Sequence, residues 1–120
     1  MSNRKARISS DIHHIINLNL KEILSFHPDL LSAMLSITKV SMSNDLKIAN
    51  CYVVQSSQSS LAMESIIGAL RKMSYMFRQL INQKLRLKYS PEIKFFYDYE
   101  LEKSETINQI LTSIIQQKSK

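Results

Sequence analysis

The chain has 120 residues, 44% apolar and 22% charged, with one Gly, two Pro, one Cys and no Trp, the composition of one small folded domain rather than of a disordered tail. A lone cysteine excludes an internal disulfide framework, and a single glycine excludes glycine-rich phosphate loops and dinucleotide fingerprints. Sixteen Lys and Arg against ten Asp and Glu leave a net charge of +6, which favours an anionic partner.

Ile8, Ile12, Ile15, Ile16, Leu20, Ile23 and Leu24 recur at three- and four-residue steps, which predicts a helix from Ile8 to Leu24. Ser9, Ser10 or Asp11 is the expected cap. Phe26-His27-Pro28-Asp29 is the expected stop, because Pro28 has no N–H to continue the ladder. Leu35 to Met42 reads as a strand whose alternation slips phase around Lys39, the mark of a bulge. Ser43-Asn44-Asp45 satisfies a turn locally. Ile48 to Gln55 follows as a second strand, apolar in both phases and so central in its sheet.

After the polar run Gln55 to Ser60, the helical period resumes through Met63, Ile66, Ile67, Leu70, Met73, Phe77, Leu80, Ile81 and Leu85. Ser60 to Leu87 is longer than the usual helix of about 8 to 20 residues, which predicts a kink or two consecutive helices, with Gly68 and Ser74 as weak points. Tyr89-Ser90-Pro91 breaks the pattern. Glu92 to Tyr97 then alternates Ile93, Phe95 and Tyr97 against Lys94 and Phe96, a third strand. Ser104 caps a last helix with Ile107, Ile110, Leu111, Ile114 and Ile115 on one stripe, and Gln116 to Lys120 should fray. The order α-β-β-α(broken)-β-α describes an α+β fold, a single domain with a three-stranded sheet and helices packed on one face. That is the connectivity of a type-II KH-like RNA-binding domain.

Between Glu64 and Glu92 there is no acidic residue, and the window holds Arg71, Lys72, Arg78, Lys84, Arg86 and Lys88, as many charges as the whole net balance. With Leu70, Met73, Phe77, Leu80 and Ile81 turned to the core, the opposite helix face carries Arg71, Lys72, Tyr75, Arg78, Gln79 and Asn82. The cations suit phosphates, and Tyr75 either stacks on an unpaired base, for about 1 to 3 kcal/mol, or packs on a neighbouring element. Phe95, Phe96 and Tyr97 are read as packing residues ahead of a stacking platform. The alternative to an RNA face is a solvated stripe whose bases are paired by acids from elsewhere.

Catalytic chemistry finds no constellation here. His13 and His14 point about 100° apart on a helix and share no metal site, while His27 lies beyond the helix end. Cys51 fits buried packing, and Asp45, Glu92 and Asp98 fit turns and strand ends. The expectation is a protein with no catalytic residues, metal, cofactor or small-molecule substrate. The start Met1-Ser2-Asn3-Arg4-Lys5 lacks a signal-peptide core and no apolar run is long enough to span a bilayer, so a cytoplasmic location and no membrane partner are expected.

Leu85-Arg86-Leu87-Lys88-Tyr89-Ser90-Pro91-Glu92-Ile93-Lys94-Phe95-Phe96-Tyr97-Asp98 resembles the segment leading into the last strand of bacterial ribosome-binding factor A. Val40-Ser41-Met42-Ser43-Asn44-Asp45-Leu46, followed by Ala49, resembles that family's first hairpin. Ala69-Leu70 through Arg78 resembles its central helix, and Arg4 and Arg7 its basic start, so the similarity runs from residue 4 to about 115. The resemblance implies a type-II KH-like fold, association with the free small ribosomal subunit, and a non-catalytic role in late maturation of its rRNA, often tied to growth in the cold. Joined to the charge window, it gives a candidate RNA-binding set of Arg4, Lys5, Arg7, Arg71, Lys72, Tyr75, Arg78, Lys84, Arg86 and Lys88 on a monomer. The family kinks its helix at alanine, any residue, glycine. Met73-Ser74-Tyr75 stands there without the glycine, so the break is expected to move, to be held by packing around Ser74, or to be shallower. The competing function is a protein-interaction module that docks on a ribosomal protein through the last helix and the exposed sheet face.

Overall fold

The computed structural model describes residues 2–99. Helix α1 spans Ser2–Leu24 and starts ahead of the expected Ile8. Ser9, Ser10 and Asp11 are therefore interior residues and not caps, and the Ser9 hydroxyl donates back to the Lys5 carbonyl at 2.9 Å. The leading Arg4-Lys5-Ala6-Arg7 are strong helix formers that extend the helix outward without an apolar period to betray it. Its buried stripe holds Ile8, Ile12, Ile16, Leu20, Ile23 and Leu24 as expected, while Ile15 is only half-buried at its margin.

Pro28 does end α1, and it also opens a short helix that periodicity did not show, α2 over Pro28–Ser32. At the first helical position its missing N–H costs nothing, and the extra turn sinks Leu30 into the core.

The sheet has the order β1-β2-β3, with β1 at Ser36–Met42, β2 at Ile48–Val54 and β3 at Glu92–Tyr97. The β1–β2 pair is antiparallel and β3 runs parallel to β2, so β2 is central as expected. The phase slip is a bulge: the register shifts between Ile37 and Lys39. Thr38, the extra residue, donates its hydroxyl to the Asp98 carboxylate at 2.6 Å just beyond β3. One sheet face, with Ile37, Met42, Ala49, Cys51, Val53, Ile93, Phe95 and Tyr97, is buried under the helices.

The long helical stretch is two helices, α3 over Met63–Lys72 and α4 over Ser74–Lys84, which together cross back from β2 to β3. The break falls at Met73, with φ −96° and ψ 4°. That conformation is open to any L-residue, so no glycine is needed at Tyr75, and no described residue near the break has positive φ. The Met73 N–H is shared between the Ala69 and Leu70 carbonyls at 3.2 and 3.1 Å, and its own carbonyl accepts from Met76 N–H at 2.9 Å. Met73 itself packs against the core and holds the bend. Gly68, the other expected weak point, lies inside an unbroken α3. The centre of the core is an edge-to-face pair, Phe77 on α4 and Phe95 on β3, with ring centroids 4.9 Å apart. No helix among the described residues is long and apolar enough to cross a membrane. The last helix expected from Ser104 lies outside the described residues.

Candidate nucleic-acid interface

The acid-free window sorts into parts with different jobs. Arg71 and Lys72 form the exposed last turn of α3, where the unpaired carbonyls of the helix end favour cations. Past the bend, Tyr75 is 62% exposed, so its ring does not serve as packing for a neighbour. Arg78 is engaged: its Nε donates to Ser90 Oγ at 2.7 Å and its guanidinium also donates to the Ser90 carbonyl at 3.2 Å. It clamps the segment after α4 onto the helix.

That clamped segment explains the positions of Arg86 and Lys88. Leu85 and Leu87 turn inward against the core while Arg86 and Lys88 stand exposed, an alternation that Arg78 helps to hold. Lys88 Nζ lies 5.5 Å from the ring of the exposed Tyr89. Lys84 is exposed in the last turn of α4.

The N-terminal bases divide. Arg4 and Arg7 line a shallow cleft of about 450 Å³ with Ile8, Asp11 and Leu87, which brings them beside the Arg86–Lys88 segment from the far end of the described chain. Lys5 does not join them: its Nζ donates to the Asn44 side chain at 2.9 Å and ties α1 to the β1–β2 turn. Among the described residues no carboxylate pairs with Arg71, Lys72, Lys84, Arg86 or Lys88.

The three consecutive aromatics of β3 split between faces. Phe95 and Tyr97 are core residues, and Phe96 turns to the opposite face of the sheet, 38% exposed. There it lies across from Tyr52 with ring centroids 5.6 Å apart, and Lys39 Nζ sits 4.6 Å from the Tyr52 ring, one row across all three strands. A second feature escaped the periodicity altogether, a groove of about 510 Å³ between α3 and β3. Met63, Ile67, Gly68 and Arg71 form its helix side, and Tyr52, Phe96, Tyr97 and Tyr99 line the other. The available hint was the Ile66-Ile67 pair, which gives α3 a wider apolar arc than the buried Ile66 needs.

Cys51 is fully buried, and burial pushes its thiol up to about 12, so it stays protonated and unreactive at neutral pH. His13 is a structural donor against the Ile37 carbonyl at 2.6 Å.

A mixed three-stranded sheet, with one long helix and a bent two-helix crossover packed on the same face, defines a KH-like α+β domain. The family profile described as ribosome-binding factor A matches residues 4–111. The chain belongs to the ribosome-binding factor A family. It is 33% identical over 110 residues to ribosome-binding factor A of Rickettsia prowazekii, covering 92% of this chain and 85% of that protein. To the Rickettsia typhi protein of the same name it is 34% identical over 112 residues, covering 93% and 87%. The crystal structure of ribosome-binding factor A from Thermus thermophilus shares the fold, with a TM-score of 0.65 at 17% identity over 78% of this chain and 94% of that one. The solution structure of a Thermotoga maritima protein superposes with a TM-score of 0.65 at 27% identity, over 83% of this chain and 92% of that one.

Proposed function

We propose that this chain binds the RNA of the free small ribosomal subunit as a monomeric, cytoplasmic, non-catalytic assembly factor that assists late maturation of small-subunit rRNA. The family's name supports a ribosomal partner. The observation that carries the RNA reading is charge without a carboxylate partner among the described residues: the bases of an acid-free window stand exposed along the α3–α4 bend and the segment after α4, with Arg4 and Arg7 brought alongside. Arg71 and Lys72 meet phosphates at the bend, where Tyr75 offers a ring to an unpaired base. Arg86, Lys88, Arg4 and Arg7 form a second grip, Lys84 adds charge, and Arg78 positions the segment carrying Arg86 and Lys88. Lys5 contributes through the tie to Asn44 that fixes the start of α1. Such a factor acts by holding one RNA conformation through differential affinity, which requires no nucleotide or cofactor.

Co-sedimentation of the purified protein with free small subunits, large subunits and joined ribosomes at two salt concentrations tests this. The expected result is selective binding to free small subunits with a log–log salt slope of about −4 to −5. Equal binding to all three particles reduces the surface to general RNA affinity, and a slope near −1 removes the phosphate grip.

A further inference from the structure

The helices cover one face of the sheet, while Lys39, Ser41, Asn50, Tyr52, Lys94 and Phe96 on the other are exposed or half-buried. The strand register sets these six in two rows, Lys39, Tyr52 and Phe96 in one and Ser41, Asn50 and Lys94 in the next. Strands lie about 4.8 Å apart and successive rows about 7 Å, so the six side chains share one compact patch. Its two ammonium groups stand at opposite corners, with the rings between them.

Phe96 is 38% exposed in a strand whose neighbours Phe95 and Tyr97 are buried. The planes of Phe96 and Tyr52 differ by 31°, whereas the core pair Phe77 and Phe95 locks edge to face at 65°. Rings at so small an angle offer a shared surface. Neither row holds a carboxylate: Glu92 stands one row further on, across from Ile48, and Asp98 accepts the Thr38 hydroxyl.

Single exposed apolar residues are ordinary on a protein surface. Two adjacent rings between two ammonium groups are not, and they match one chemistry: unpaired bases on the rings and their phosphates on the cations. Asn50 and Ser41 supply hydrogen bonds for base edges or ribose hydroxyls. A second copy would bring a face of the same sign against Lys39 and Lys94, which opposes self-association. The patch is also continuous with the basic surface. Tyr52 and Phe96 line the α3–β3 groove whose helix side carries Arg71, so a strand held at the α3–α4 bend can reach the rings around the edge of β3.

We propose that the outer face of the sheet is a stacking platform for single-stranded RNA, on which Tyr52 and Phe96 each take one unpaired base and Lys39 and Lys94 take the flanking phosphates. This rests on the RNA reading above and adds to it a contact that selects unpaired strands. Lys39 Nζ now lies 4.6 Å from the Tyr52 ring. An arriving base takes that place and turns the ammonium outward to its phosphate.

The test titrates the full-length protein with a short oligouridylate and with a short RNA duplex. The wild type should bind the single strand more tightly, with shifts in the ring signals of Tyr52 and Phe96. Tyr52→Val with Phe96→Ile keeps strand-favouring residues and should weaken oligouridylate about 5- to 150-fold for each base lost, while duplex affinity holds. Lys39→Gln with Lys94→Gln leaves the rings in place and should make the log–log salt slope for oligouridylate shallower by about 1.4.

The proposal is overturned if the ring variant, shown to be folded by its unfolding transition, binds oligouridylate like the wild type, or if the lysine variant keeps the full slope. It is equally overturned if the wild type ignores oligouridylate, or if it dimerises through a contact that Phe96→Ile removes. Loss of small-subunit binding by the ring variant with oligouridylate binding intact would overturn it too, making a protein the occupant. Oligouridylate bound at the rings by a protein that ignores small subunits would support the platform and refute the ribosomal reading, so the two fail separately.

Discussion

The side-chain amide of Asn17 pairs with both backbone groups of Ile37, Nδ2 donating to the carbonyl at 3.0 Å and Oδ1 accepting from the N–H at 3.0 Å. A helix thus supplies the hydrogen-bond pattern of a neighbouring strand. His13 Nε2 also donates to the Ile37 carbonyl, which fixes its proton on that nitrogen because a carbonyl only accepts. The contact lies where β1 begins its bulge, on the outer edge of the sheet, and closes a stretch of backbone that another chain could otherwise pair with.

Asn17→Leu should therefore destabilise the fold by about 1 to 3 kcal/mol, since it strips two partners from partly buried backbone groups. The urea midpoint should fall with an unchanged slope. Asn17→Asp keeps the acceptor for the Ile37 N–H but turns a second acceptor toward the carbonyl, and should recover little of the loss.

Met34 stands just past Ala33, the residue that caps α2, with φ 51°, and its side chain is 65% exposed. A left-handed residue just past a helix end favours glycine, and here little packing would be sacrificed. Met34→Gly should raise stability by about 1 kcal/mol in thermal or denaturant unfolding. A clear loss would contradict this reading of the turn.

The Ser43 hydroxyl, followed by the Lys47 N–H, holds the Asp45 carboxyl below its ordinary value of 3.8. A depressed carboxylate contributes stability that is present above the unfolded value and lost as pH falls through the folded one. The stability difference between wild type and Asp45→Asn should accordingly shrink as the pH is lowered below about 4. Denaturation midpoints for the two proteins across that range measure it.

Arg71→Glu with Lys72→Glu should abolish small-subunit binding while lowering the thermal midpoint by only a few degrees, because neither side chain has a partner within the described fold and the two acids meet only the unfavourable end of the α3 dipole. Retained binding would favour docking on a protein. Arg78→Gln should behave differently. It frees Ser90 and should speed hydrogen exchange of the amides from Arg86 to Ser90, weakening RNA binding by displacing Arg86 and Lys88.

The parts of the fold that were legible in the chain are those that leave a periodic trace. The bulge at Thr38 showed, one residue off, because a period of two slipped around Lys39, and the α3–α4 bend showed because one helix would have been too long. Its position showed to within a residue, as the weak point at Ser74; that Met73 itself carries the bend did not show, since a conformation open to every residue has no compositional mark. Helix α2 is too short to carry a period, and Pro28 reads equally as a stop and as a start. The start of α1 is polar and leaves no stripe. At the surface, the acid-free window was plain, but its division of labour depends on partners distant in sequence: Ser90 for Arg78, Asn44 for Lys5, Leu87 for Arg4 and Arg7. The α3–β3 groove belongs to two elements at once and has no signature in either.

Cys51, the chain's one thiol, sits at the midpoint of the central strand with no exposure and its proton firmly held. A thiol-specific reagent can reach it only when the sheet has come apart, so the wild-type protein carries an internal clock for global opening. Any partner that binds only the folded form must slow that clock by the factor 1 + [L]/Kd. Labelling rates in the presence of small subunits would thus report affinity directly, with no tag, no dye and no substitution in the surface being measured.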